Sequence, residues 1–156
     1  MPPPGGHECR QPALSQAHEA GISFASRLEE LSRFHPFLER FAAEHQLPSA
    51  VRNALDLAVT EWLTNVINYG FANDEHGRID LKLFCSGSEV RVEVADTGRP
   101  FNPLDHPLVD ISVPLTDKPI GGLGIHMIRS LMDRLIYTRE RGKNLLTLIK
   151  SLPSKP

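Results

Sequence analysis

Three short groups of residues have the types and spacing to act on a charged ligand. In Glu61-Trp62-Leu63-Thr64-Asn65, the first and last residues are four apart and project from one face if the segment is helical. A carboxylate so placed can serve as a base, and an amide oxygen is a hard ligand suited to magnesium. The same pair would also serve as the polar edge of an amphipathic helix. Asp96-Thr97-Gly98-Arg99-Pro100-Phe101 stands where a strand pattern stops. A buried acid there can accept a hydrogen bond from an exocyclic amine, and Gly98 lets a flat ring approach the backbone. Asp and Gly also simply end strands in turns. Gly121-Gly122-Leu123-Gly124-Ile125 opens a helical pattern, and glycines at a helix N-terminus expose N–H groups to phosphate oxygens. A flexible hinge would need the same glycines. No Gly-Lys-Ser/Thr follows and no strand precedes, so neither a P-loop nor a dinucleotide fingerprint is present.

The elements that must hold these groups are legible from periodicity. Residues 1–20 carry Pro2, Pro3, Pro4, Gly5, Gly6 and Pro12 and read as a flexible tail before a single domain over 21–152. A short edge strand over 21–26 leads into a helix over about 27–45. There Leu28, Leu31, Phe34, Leu38 and Phe41 share a face and Pro36 predicts a break. A second helix over about 50–69 presents Leu55, Val59, Trp62, Leu63, Val66 and Ile67, with Gly70 as a C-cap. Strict alternation over 78–85 and 89–95, joined by Ser86-Gly87-Ser88, predicts an antiparallel hairpin. Residues 97–122 hold five prolines and read as a lid or binding loop. A helix over 123–133 and strands over 135–139 and 145–150 complete the pattern. Helices and hairpins that do not alternate as βαβ units predict an α+β two-layer sandwich, a mixed, mainly antiparallel sheet with helices on one face.

Bulk properties narrow the classes. The chain has 156 residues, 40% hydrophobic, with a formal net charge of -2. A near-neutral balance argues against nucleic acid as the main partner. No apolar run approaches the ~18 residues of a membrane helix, and the first ten residues lack the apolar segment of a secretory signal. Cys9 and Cys85 read as reduced bystanders in a cytoplasmic protein, and no metal-binding cysteine spacing exists.

The order of the three groups, a Glu/Asn helix, then a strand ending in Asp-x-Gly, then a glycine-rich helix start, resembles the Bergerat ATPases. That superfamily includes gyrase, heat-shock chaperones, mismatch-repair ATPases and histidine kinases. Within it, Glu61-x-x-x-Asn65 followed by Asn68-Tyr69-Gly70-Phe71, and Gly122-Leu123-Gly124-Ile125-His126 running into Leu131-Met132-Asp133, look like the motifs of bacterial anti-sigma factor serine kinases. The resemblance spans nearly the whole of 21–152. It implies ATP and Mg2+ as cofactors, with Asn65 as metal ligand and Glu61 as base toward an attacking hydroxyl. It also implies Asp96 reading adenine with Thr147 assisting and Gly98 lining the pocket. Gly122 and Gly124 would meet the phosphates, and Asn68 would contact the nucleotide. Arg99 and Lys118 flank the lid and read as solvated surface charge or as phosphate neutralisers; His106 and His126 read as surface or packing histidines. The implied partners are an anti-sigma factor antagonist as substrate, a sigma factor, and a second copy of the chain through the first helix and edge strand. Two alternatives stay open at this level: an ATP-gated module that sequesters a sigma factor without phosphotransfer, and a partner-switching kinase with a non-transcriptional output.

Overall fold

The computed structural model of this chain describes residues 18–72, 76–105 and 122–154. Five strands form one sheet: β1 (His18–Ala25), β2 (Arg78–Cys85), β3 (Glu89–Asp96), β4 (Arg134–Glu140) and β5 (Lys143–Ser151). Their order is β1-β2-β3-β5-β4, and every neighbouring pair is antiparallel. Alternation sets the layers. Ile79, Leu81, Leu83, Val90, Val92, Val94, Leu146 and Leu148 are at most 1% exposed and face the helices, while the intervening residues take the other face.

Three helices cover the inner face: α1 (Phe34–Glu44), α2 (Ser49–Tyr69) and α3 (Gly122–Leu131). α2 buries Val51, Ala54, Leu55, Ala58, Val59, Trp62, Leu63 and Val66, the three-and-four spacing of a stripe laid across a sheet. α1 adds Phe34, Phe37, Leu38 and Phe41. The break expected at Pro36 falls upstream. Leu28–Arg33 is a 3-10 segment, and Pro36 sits in the first turn of α1, where its missing N–H has no helical partner to lose. The far end of α3 is pinned to β5, because Lys150 Nζ donates to the Leu131 carbonyl at 2.9 Å and Ser151 N–H donates to Asp133 Oδ2 at 2.7 Å.

Two boundaries differ from the sequence reading. β1 starts at His18 and pairs in register with β2 from His18↔Cys85 to Ala25↔Arg78, so three residues of the expected tail are sheet. Cross-strand hydrogen bonds recruit them although His18 and Glu19 are exposed and carry no apolar signal. Gly70 occupies the C-cap of α2 with φ -77, right-handed rather than the left-handed conformation a glycine cap normally supplies. Its role is to present a carbonyl, which accepts the Arg99 N–H at 2.7 Å. The Pro-rich segment is described only as far as Asp105, ending in a short 3-10 turn at Pro103–Asp105; His106, Lys118 and the rest of the expected lid lie outside the described residues.

Leu63 is 0% exposed between α2 and the sheet. Leu63→Ala is expected to lower unfolding free energy by about 2–5 kcal/mol in a urea titration. Leu57→Ala, at a side chain 45% exposed, should change it by under ~0.5 kcal/mol.

Candidate functional site

α2 carries one end of the site. Asn65 is 8% exposed, and its Nδ2 donates back to the Glu61 carbonyl at 2.9 Å. That bond uses one of the amide's two N–H groups and leaves Oδ1, the hard oxygen, for a cation. The first turn of α3 lies against this edge. A Cβ on Gly124 would stand 2.8 Å from Glu61 Oε2 and 3.2 Å from Asn65 Nδ2, so any side chain there would have to displace the Glu61 carboxylate. Glu61, Asn65 and Gly124 are thus gathered at the N-terminal end of a helix, where backbone N–H groups and the dipole favour anions. Gly122 is the first residue of that helix.

β3 supplies the other end. Asp96 continues the inward phase of Val90, Val92 and Val94 and is 3% exposed. Its Oδ1 accepts the Gly98 N–H at 2.9 Å and Asn144 Nδ2 at 2.9 Å. Burial pushes the Asp96 carboxyl above the usual carboxylate range; the Asn144 and Gly98 hydrogen bonds and the nearby Arg139 charge act in the opposite direction. Gly98 lets the chain cross the end of α2, since a Cβ there would lie 2.6 Å from the Gly70 carbonyl oxygen.

The two ends meet in one cleft lined by Trp62, Asn65, Val66, Tyr69, Gly70, Asp96, Arg99, Phe101 and Asn144. It is narrow, about 20 Å³, room for roughly one water. Phe101 stacks on Trp62 with ring centroids 5.9 Å apart and helps line it, so a planar base needs the lining to open. A wider hollow lies on the opposite sheet face, bordered by Ser23, Arg78, Asp80, Lys82 and Glu93. Its Asp80 is already engaged by Arg78 and Ser23, and none of the motif residues reaches it.

Not every expected residue joins. Thr147 does not. Asn144, Leu146 and Leu148 take the helix-facing phase of β5, so Thr147 points to the other face, opposite Glu93. It stands three residues, about 10 Å, from the position that pairs with Asp96. Asn68 is exposed on α2 and is not among the residues lining the cleft. Arg99, read from sequence as surface or phosphate-neutralising charge, does line it. His126 has a buried Nδ1 without a hydrogen-bond partner. Asn144 lies one residue before the strand expected over 145–150, and the sequence reading gave it no role in the site. The available signal was a polar residue at an inward phase, counting back by twos from Leu148 and Leu146. Cys85 is buried and unpaired, and burial raises its thiol pKa.

A family model described as a histidine kinase-like ATPase domain matches residues 24–150. The chain belongs to this family. It is similar to the serine/threonine-protein kinase BtrW of Bordetella bronchiseptica, 30% identical over 112 residues that span 72% of this chain and 79% of that one. It is also 28% identical over 127 residues to an anti-sigma F factor of Thermoanaerobacter sp., spanning 80% of this chain and 87% of that one. Among solved structures, the RsbU and RsbW domains of a Mycobacterium tuberculosis protein superpose with a TM-score of 0.63 at 18% identity, over 88% of this chain and 34% of that one. A histidine kinase domain from Erythrobacter litoralis does so with a TM-score of 0.50 at 20% identity, over 80% of this chain and 60% of that one. These last two are likenesses of fold. As a histidine kinase-like ATPase domain, the chain binds nucleotide. No helix among its described residues is long and apolar enough to cross a membrane.

The raised Asp96 carboxyl makes the ATPase domain's stability depend on pH with a definite sign. A folded-state pKa above the unfolded value favours the fold at pH below the unfolded carboxylate range, and that contribution is lost as pH rises through the folded value. Without nucleotide, Asp96→Asn is therefore expected to raise the thermal midpoint at pH 7. The gain should shrink as pH falls into the range where Asp96 itself is protonated. Calorimetric scans from pH 7 downward check both points.

Proposed function

We propose that this chain is an anti-sigma factor serine/threonine protein kinase that binds Mg-ATP and phosphorylates an anti-sigma factor antagonist. What supports the reading is a single cleft whose lining includes both Asn65 and Asp96, with Gly124 of α3 against Glu61 at one end. The relatives named as a serine/threonine-protein kinase and an anti-sigma factor point the same way.

Phosphoryl transfer asks a protein mainly for positioning and for stabilisation of charge on the transferred group. The donor set fits that demand. Asn65 Oδ1 would hold magnesium, which supplies positive charge to phosphate oxygens and typically takes only one or two protein ligands beside them. Glu61 stands four residues before Asn65, beside the tip of α3, where its carboxylate would accept the proton of an incoming serine hydroxyl. The Gly122-Leu123-Gly124 turn would offer N–H groups to the phosphates. Asp96 Oδ2 would accept a hydrogen bond from the adenine amino group. Trp62 and Phe101, stacked in the cleft, are placed to flank the ring once the lining opens.

The unphosphorylated antagonist and a sigma factor would then compete for this kinase, with phosphorylation deciding the outcome. A cytoplasmic homodimer completes the proposal, with α1 and the outer edge of β1 as contact region, since β1 is an edge strand of the sheet among the described residues. A monomer mass by sedimentation would remove that last element alone.

With radiolabelled ATP and an antagonist captured by pull-down in the presence and absence of ATP, label should appear on an antagonist serine. Glu61→Gln is expected to retain Mg-ATP binding and lower transfer by about 10²–10⁴-fold. Asn65→Ala should abolish magnesium-dependent binding or transfer. Nucleotide binding with no transfer by the wild-type protein would instead favour an ATP-gated sequestering module.

A further inference from the structure

Asn144 is 3% exposed, faces Asp96 across the β3–β5 ladder, and uses every polar atom of its amide. Its Oδ1 accepts from the Tyr137 hydroxyl and from Arg139 Nη1 at 2.9 Å. Its Nδ2 donates to Asp96 Oδ1 at 2.9 Å and to the Arg99 carbonyl at 2.7 Å. Arg139 Nη1 also donates to the Gly98 carbonyl at 3.0 Å. A flipped amide would aim N–H groups at two donors and its oxygen at a carboxylate and a carbonyl, so only one orientation satisfies the cluster.

The consequence falls on Asp96. One carboxylate oxygen is filled by Asn144 and the Gly98 N–H, and no hydrogen bond among the described residues engages the other. The carboxylate therefore cannot rotate without breaking two buried hydrogen bonds, and buried polar groups are expensive to leave unpaired.

We infer that Asn144, held by Tyr137 and Arg139, is a positioning residue for base selection: it fixes Asp96 so that Oδ2 accepts from a base carrying an exocyclic amine and rejects one carrying a carbonyl. This rests on the reading of the cleft as a nucleotide site. Adenine offers an amine at the position where guanine offers a carbonyl oxygen, which an ionised, immobile carboxylate repels. Tyr137 and Arg139 lie on β4 and touch Asp96 only through Asn144 and through charge, so their effect on base choice is transmitted rather than direct. With the clamp gone, Asp96 is freer to rotate and to hold a proton. A carboxylic acid can donate to a carbonyl, and discrimination between the two purines falls.

The test is the ratio of dissociation constants for ADP and GDP, each with magnesium, measured by calorimetry on the full chain and its variants. Asn144→Leu keeps side-chain size and removes the amide; it should narrow the wild-type preference for ADP at least about tenfold, as loss of a directed hydrogen-bonding group does. Tyr137→Phe removes one donor to Oδ1 and should narrow it by about fivefold, one neutral hydrogen bond. Tyr137→Phe combined with Arg139→Met should approach the effect of Asn144→Leu. Equal weakening of both nucleotides with the ratio unchanged would overturn the inference and leave Asn144 as a packing residue. Should thermal scans show Asn144→Leu unfolded, Tyr137→Phe decides alone, since it removes a single oxygen. A wild-type protein that prefers ADP beside variants with the same preference sinks only this assignment. A wild-type protein that binds neither nucleotide sinks the nucleotide site and this assignment with it.

Discussion

A carboxylate at the inward end of the central strand is the constraint from which the rest of the site follows. Asp96 continues a run of fully buried valines, so it must be supplied with polar partners or be driven to its neutral form. The fold supplies them from four places. The turn after β3 brings the Gly98 N–H, β5 brings Asn144, and β4 brings Tyr137 and Arg139 behind Asn144. The end of α2 enters through the Gly70 carbonyl, which holds the Arg99 N–H. Three strands and a helix terminus are tied together at a point where an apolar residue would have packed with less demand. Such networks stabilise only when complete, and one in which most members have a single arrangement makes a rigid platform.

α2 couples that platform to the opposite end of the cleft. Asn65 and Glu61 stand about one and two turns before Tyr69 and Gly70, which border Asp96, and a helix rising about 1.5 Å per residue keeps that spacing with little strain. The buried stripe from Val51 to Val66 sets the helix's rotation against the sheet, which determines where Asn65 points. α3 then packs with Gly124 against the Glu61–Asn65 edge, leaving the Glu61 carboxylate its position beside the helix tip. Packing thus converts two independent helix faces into one site with an acid, an amide oxygen and a helix tip within reach of each other.

The apolar wall of the cleft is the pair Trp62 and Phe101. Trp62 is 1% exposed and its indole N–H has no partner, a donor retained inside a site rather than in a packed core. Phe101 stands between the end of β3 and the 3-10 turn at Pro103–Asp105, so the apolar wall is shared between a helix and a connecting segment, while Asp96 and Asn144 on the polar side stand on strands.

Much of this could be read from residue order. Period-two alternation at 78–85 and 89–95 places those strands and their inner faces, because each residue turns the side chain by half a revolution. The three-and-four spacing of α2 likewise places Glu61 and Asn65 on one side, since helix geometry is local. The order of the three glycine- and acid-bearing groups points to a nucleotide through its resemblance to the Bergerat ATPases, since each group alone serves equally well as a helix edge, a turn or a hinge. Local rules fail where partners come from afar. Asn144 looks like a turn residue until the β3–β5 register sets it against Asp96, and Thr147 looks like an adenine contact until the same register turns it to the far face. The edge of β1 is recruited by hydrogen bonds to β2 that no apolar signal announces. What the sequence determined alone was which residues could do the chemistry and on which face of their own element they stand. Which of them share a cleft was decided by strand register and helix packing, because those depend on contacts between segments far apart in the chain, as His18 is from its partner Cys85.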